Sequence, residues 1–278
     1  NQRGKTTYSG AGYGIDRWKA TSNITSVTVD SGGYLTVVGG SNSAAVEETA
    51  EYPLPEGTVL TLSALMRCST QGCGVQFNFG GTYSSTVAVT GTGDWELVKL
   101  TATVPSGGAA PAVRFRNYGV AGTFDVMAVK LELGTEQTLA HQENGAWVLN
   151  EIPDYGEELT KCMRYLQVIA TPYDTSGNGV AIGYANNTVD LWVPIPLAVP
   201  MRISPTPTIP TGGVALFKLG KTSNALKDVT KVTGGWAMQT GKACSVRSLI
   251  FTASGLTAGD TYALFMRQGA QIVLSAEL

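Results

Sequence analysis

Residues Pro153–Gln167 read PDYGEELTKCMRYLQ, the one stretch of this 278-residue chain with a helical pattern. Asp154 can cap the N-terminus, and Glu157, three residues on, can reach back to it as in a capping box. Glu157 and Glu158 fall in the first turn and Lys161 and Arg164 later, which suits the helix dipole. Leu159, Cys162, Met163 and Leu166 recur at helical spacing and make one apolar stripe. Everything on either side reads as β-structure. The predicted fold is therefore all-β: two antiparallel β-domains with this short helix as their joint. The stripe needs a partner. The plain reading packs it on its own domain; the sharper one makes Leu159, Cys162, Met163 and Leu166 an oligomer contact.

Composition agrees with short strands and tight turns. Apolar residues make up 43% of the chain and charged ones 14%, well under the usual quarter, with 34 glycines. The net charge of −2 leaves no basic footprint for nucleic acid. No apolar run approaches the roughly 20 residues of a membrane helix, so no membrane insertion is expected, and no signal-peptide pattern is present. The chain opens on Asn1 inside a motif, which suggests a fragment or a processed product. Cys68 and Cys73 flank the turn-like Ser69-Thr70-Gln71-Gly72, a spacing that allows a disulfide across a hairpin. Cys162 and Cys244 read as small buried hydrophobes, and the four cysteines form no metal pattern.

The first half alternates at period two. Candidate strands are Ile24–Val29, Tyr34–Val38, Ala44–Glu51, Val59–Cys68, Gly74–Phe79, Ser85–Thr90, Trp95–Val104, Ala112–Asn117 and Thr123–Glu132. Strands at this spacing, with Gly91-Thr92-Gly93-Asp94 and Pro105-Ser106-Gly107-Gly108 as turns, predict a sandwich over residues 1–134. A connector and helix follow over 135–167. The connector holds the only histidine, His141, which reads as a solvated side chain rather than a catalyst. Residues 168–278 predict a second antiparallel β-domain, with strands at Val180–Ala185, Val189–Ala198, Val214–Leu219, Ser245–Ala253, Thr261–Arg267 and Gln271–Ala276. The Pro-rich Pro194–Pro210 is expected as an extended edge, since proline donates no ladder hydrogen bond.

The order of Asp16-Arg17-Trp18, Leu54-Pro55-Glu56-Gly57-Thr58, Asp94-Trp95-Glu96-Leu97-Val98 and Phe124–Gly134 resembles the jelly-roll sandwich of carbohydrate-binding modules. That likeness implies a structural Trp95 and, as such modules often hold one, leaves room for a calcium ion, although nothing in this sequence points to it and no cofactor is expected. Asn1-Gln2-Arg3-Gly4, Gly12–Trp18, Leu131-Glu132-Leu133-Gly134, the helix, Val199-Pro200-Met201-Arg202 and Ser275-Ala276-Glu277-Leu278 are similar to the distal, receptor-binding region of bacteriophage and prophage tail fibres. This second resemblance implies a homotrimer on the virion, acting at the host cell surface beside other tail or baseplate proteins.

No Walker loop, dinucleotide fingerprint or nucleophile–base triad is present. Paired carboxylates for glycoside cleavage remain as scattered candidates, Glu47, Glu48, Asp125 and Asp190, whose default role is solvated or turn-capping. Binding by surface aromatics is the better expectation, because sugar rings stack on Tyr and Trp while polar side chains bond their hydroxyls. The preferred glycan set is Tyr173, Asp174, Asn178, Tyr184, Asn186 and Asn187 in loop-like segments, with Trp236 in a turn after Gly234-Gly235. Asn78, Tyr83, Arg114, Arg116 and Tyr118 form the comparable set in the first domain. The expected function is non-catalytic recognition of host-surface polysaccharide; the alternative is a fibre, collar or baseplate module that assembles without touching a receptor.

Overall fold

A computed structural model describes residues 5–15, 17–69, 72–170, 178–220, 226–240 and 243–276, with 170, 178, 236–240 and 243–246 described by backbone alone. The chain divides into two compact units, Arg3–Asp154 and Tyr155–Glu277, each with its own core. Among the described residues the protein is all-β apart from one helix.

The strands of the first unit are β1 (Thr7–Ser9), β2 (Gly12–Tyr13), β3 (Lys19–Ala20), β4 (Ile24–Val29), β5 (Leu35–Gly39), β6 (Ala45–Thr49), β7 (Val59–Arg67) and β8 (Cys73–Phe79). They continue with β9 (Thr82–Tyr83), β10 (Val87–Ala88), β11 (Glu96–Thr103), β12 (Pro111–Asn117), β13 (Gly122–Leu133), β14 (Ala140–Glu143) and β15 (Ala146–Leu149). One sheet runs β1-β4-β5-β13-β7-β11 and the other β10-β8-β12-β6-β3-β2, with β9 paired to β8. All pairs are antiparallel, as a jelly-roll sandwich requires. Alternation decides the core: Val75, Phe77, Val113 and Phe115 turn inward from β8 and β12 and meet Leu60, Leu62 and Phe124 from the facing sheet.

The connector contributes more structure than its polarity suggests. β14 and β15 pair as a hairpin. Leu139 and Ala140 are buried with Leu65 in a satellite cluster that Trp95, Leu97 and Trp147 cover. Trp147 Nε1 donates to the Trp95 carbonyl at 2.8 Å, and the Trp95 side chain packs against the cluster. His141 lies on β14, its Nδ1 2.6 Å from Asn150 Oδ1.

The second unit begins with α1 (Tyr155–Met163), followed by β16 (Leu166–Ala170), β17 (Asn178–Ala185), β18 (Asp190–Met201), β19 (Thr206–Thr208), β20 (Val214–Lys218), β21 (Lys227–Asp228), β22 (Lys231–Thr240), β23 (Ala243–Thr252), β24 (Thr261–Met266) and β25 (Gln271–Ser275). A seven-stranded sheet, β21-β20-β24-β17-β18-β23-β22, shares one core with a three-stranded sheet, β16-β25-β19.

Two expectations need correction. The helix is nine residues long and stops at Met163; Leu166 lies on β16, paired with Ser275 and 1% exposed. It is therefore core, while Leu159, Cys162 and Met163 remain half-buried on the helix. The short helix reflects competition: Leu166-Gln167-Val168-Ile169 is good strand sequence, and pairing with β25 satisfies its backbone. Secondly, Pro194 and Pro196 are not on an edge strand throughout, because β18 lies between β17 and β23. β17 pairs only with Leu191 and Trp192, so at the prolines β23 is the sole ladder partner and the missing N–H groups fall on the unpaired side. Thr206–Thr208, which contains Pro207, is an edge strand as expected. Cys68 and Cys73, whose spacing left a disulfide open, are buried and form no disulfide. Burial pushes the Cys73 thiol far up from its ordinary range, and a hydrogen bond with Cys68 adds to the shift.

Candidate functional site: the polar outer face of the first sandwich

In the sheet that contains β8 and β12, side chains not used in the core form an ordered polar surface. Register places Tyr13 opposite Lys19, Lys19 opposite Glu47, Glu47 opposite Arg114, and Arg114 opposite Gln76. Directly opposed residues share a face, so this row crosses five strands on the side away from the core. In the next row Arg116 lies between Ala45 and Gly74. A Cβ on Gly74 would sit 2.2 Å from the Val87 carbonyl oxygen. That position must stay without a side chain, because the backbone of β10 packs directly against it.

Gln76 holds the two arginines together. Its Oε1 accepts from Arg114 Nη1 at 3.0 Å and from Arg116 Nη1 at 3.1 Å, while its Nε2 donates to the Ser84 carbonyl at 2.9 Å. Only this amide orientation turns an oxygen toward both cations. Arg114 Nε lies 3.0 Å from Glu47 Oε2, an ion pair without the alignment of a hydrogen bond. Arg116 has a different environment. It donates from Nε to the Asn117 carbonyl at 2.9 Å and from Nη2 to the Asn42 carbonyl at 3.4 Å. No carboxylate pairs with it among the described residues. Its pKa is lowered, first by burial and then by repulsion from Arg114.

Two tyrosines lie over these cations. The Tyr83 ring is 4.8 Å from the Arg114 guanidinium carbon and the Tyr118 ring 5.8 Å from that of Arg116. The rings are 53% and 54% exposed, so their outer faces meet solvent. Tyr83 is placed by the turn between β8 and β9, where Gly80 and Gly81 have positive φ and Asn78 Oδ1 accepts from the Gly81 N–H at 2.7 Å. Tyr118 is placed by its own N–H, which donates to the Gly72 carbonyl at 2.6 Å.

The structure thus gathers Asn78, Tyr83, Arg114, Arg116 and Tyr118 on one surface, and adds Gln76, Glu47, Lys19 and Tyr13. The added residues were readable only as the outward half of an alternation whose register was unknown.

The described members of the preferred second-domain set fall on β17, in the turn after it and on β22. Tyr184 lies on β17, 51% exposed and opposite Trp192. Asn186 is exposed in the following turn. The Asn187 amide closes that turn: its Oδ1 accepts from the N–H groups of Val189 at 2.7 Å and Asp190 at 2.8 Å, and its Nδ2 donates to Asp190 Oδ2 at 3.0 Å. Trp236 falls within β22 rather than in a turn, where the register to β23 shifts between Gly234 and Ala237. Asn178 opens β17. Tyr173 and Asp174 lie outside the described residues.

A second cationic cluster, on the other sheet, is self-contained. Arg67 Nε donates to Asp125 Oδ2 at 2.7 Å, Thr36 donates to Asp125 Oδ1 at 2.8 Å, and Tyr34 and Trp95 enclose the guanidinium at 5.0 and 4.5 Å. The Asp125 bond leads the causes that raise the Arg67 pKa. Among the described residues no three His, Cys, Asp or Glu side chains group as for a metal, and no helix is long and apolar enough to cross a membrane.

Comparison with known proteins identifies no family model and no curated relative for this chain. Solved structures similar to it include a CBM4 carbohydrate-binding module (17% identity, TM-score 0.33, 46% of this chain and 85% of that one). The CBM22-1 xylan-binding domain of Xyn10C from Paenibacillus barcinonensis matches at 12% identity and TM-score 0.33, over 47% of this chain and 94% of that one. The CBM22-1–CBM22-2 tandem domain of the same protein matches at 11% identity and TM-score 0.34, over 98% of this chain and 97% of that one. At these identities and TM-scores the likenesses carry no argument about function.

Proposed function

We propose that the first sandwich is a non-catalytic glycan-binding module and that the outer face of its β8–β12 sheet is the site. The observation that carries this reading is the pair of half-exposed tyrosines, each laid over an arginine, beside Gln76. Sugar rings offer flat C–H faces to such aromatics and hydroxyls to such guanidinium and amide groups. Arginine beneath each ring limits its motion, so less entropy is lost when a sugar docks. Glu47 is the one carboxylate in the row, and it is paired with Arg114, whereas hydrolysis of a glycoside uses two carboxyl groups about 5–10 Å apart. The test is a glycan array probed with the intact chain and with Tyr83→Ala and Tyr118→Ala. Each substitution should weaken binding at least fivefold. Undiminished binding by both variants, with loss on Tyr184→Ala, would move the site to the second unit.

The setting we read for this module is the tip of a phage-type fibre at the host cell surface, assembled as a homotrimer beside other tail or baseplate proteins. It rests on the sequence resemblance at the helix and at both chain ends. Three linked sites multiply a weak sugar affinity without new contacts. Light scattering that returns a monomer sinks the trimer, and the glycan site is tested independently of it.

A further inference from the structure

Resting on that glycan-binding reading, we propose that the ligand is an acidic polysaccharide and that Arg116 takes a uronate carboxylate. Three observations lead there. The first is a charge imbalance on one surface: among the described residues Lys19, Arg114 and Arg116 share the row and its neighbour with one carboxylate, Glu47, which lies 3.0 Å from Arg114. The second is that the neutral Gln76 Oε1 is shared by both arginines, at 3.0 and 3.1 Å, in the position where a structural network would place a counter-ion. Two neighbouring guanidinium groups held by one amide oxygen repel each other, and an incoming anion relieves that repulsion. The third is donor arithmetic. A guanidinium has five N–H groups, and the three bonds of Arg116 leave one on each terminal nitrogen, the number a bidentate carboxylate accepts.

The half-exposed Tyr118 ring borders this cation, so a sugar ring stacked on Tyr118 can present its carboxylate to Arg116. Strand geometry places Arg114 and Arg116 roughly 7 Å apart along β12, so a single glycan chain can span Tyr83 and Tyr118. A planar carboxylate fits the arginine fork better than a hydroxyl, and Arg114, already occupied by Glu47 and Gln76, acts as a positioning residue.

The experiment uses polygalacturonate, alginate and hyaluronate, each beside its carboxyl-reduced neutral form, with binding to the whole chain measured by calorimetry at low and at 0.5 M salt. At least one acidic polymer should bind tenfold or more tighter than its reduced form, and salt should shrink that ratio. Arg116→Gln should abolish the preference, so that the variant binds acidic and reduced forms equally, with an unchanged melting temperature to show that the fold survives. Gln76→Glu, which supplies the missing carboxylate internally, should abolish it too. Equal binding of acidic and reduced forms by the wild type overturns this inference and leaves the glycan reading standing. So does an acid preference that survives Arg116→Gln. No binding to any polymer, acidic or neutral, counts against the glycan reading itself.

Discussion

Replacing Gln76 with leucine isolates the contribution of the shared amide to the fold. Gln76 is 5% exposed and makes three hydrogen bonds, two to cations and one to the Ser84 carbonyl. Losing the bond to Arg114, whose side chain is 10% exposed, costs about 2 kcal/mol, since the guanidinium donor stays buried without its acceptor. Arg116 is half-buried and water can replace the amide there, so its loss is worth about 0.5 kcal/mol. The Ser84 carbonyl adds about 1 kcal/mol, and the apolar burial gained by leucine offsets about 1 kcal/mol. The net destabilisation is about 2–3 kcal/mol, a fall of about 1 M in urea midpoint. The assay is urea unfolding by tryptophan fluorescence in a Trp192→Phe/Trp236→Phe background, so that Trp18, Trp95 and Trp147 report on the first unit alone. A loss below 0.5 kcal/mol refutes the network. The matched Gln76→Glu variant should be neutral or stabilising at pH 7. Its new carboxylate, held between two arginines, has a depressed pKa, so any gain is present above the unfolded value of about 4.3 and disappears as pH falls through the lower folded one.

Three further outcomes follow from other sites. Leu166→Ala should cost about 2–5 kcal/mol because it empties a core position on β16, while Met163→Asp on the half-buried helix surface should cost about 1 kcal/mol; thermal melting compares them, and equal losses contradict the strand assignment. Native protein at pH 8 should leave Cys73 unmodified by iodoacetamide, because burial and the Cys68 contact keep its thiol protonated, with alkylation appearing only on unfolding; a Cys68–Cys73 disulfide peptide in the mass spectrum refutes this. Glu132 has a lowered pKa: burial pushes it up, but bonds from the Thr138 hydroxyl at 2.6 Å and N–H at 2.8 Å, with Lys130 nearby, outweigh burial. Its contribution is therefore present above about pH 4.3 and lost as pH falls through the folded value, and Glu132→Gln should remove that part of the acid-unfolding slope.

Much of the architecture was legible in the sequence, because a strand with one buried face carries its alternation wherever it ends up. Ile24–Val29 emerged with the expected bounds, and Val59–Cys68 and Ala112–Asn117 within one residue of them. The failures share one cause, competition settled by distant partners. Leu166 satisfies a helical stripe and a strand equally well, and pairing with Ser275 decided for the strand. Pro194 and Pro196 look excluded from a sheet interior until the pairing with β17 stops at Trp192 and leaves them one neighbour. Asn187 is a separate case settled locally, its amide oxygen accepting from Val189 and Asp190 to close the turn into β18.

The site divides in the same way. Alternation alone put Gln76 and Asn78 on one face of their strand and Arg114 and Arg116 on one face of theirs, since side chains in a strand repeat every second residue. That Gln76 meets both arginines, that Glu47 reaches Arg114 but not Arg116, and that tyrosines from a hairpin and a strand end cover the two cations depended on register between strands far apart in the chain. Register is decided by the whole sandwich closing on its core, because a slip of one residue would turn Phe77 and Phe115 outward and bury the charges. The sequence by itself therefore determined which residues could face solvent; only the tertiary structure decided which of them would meet.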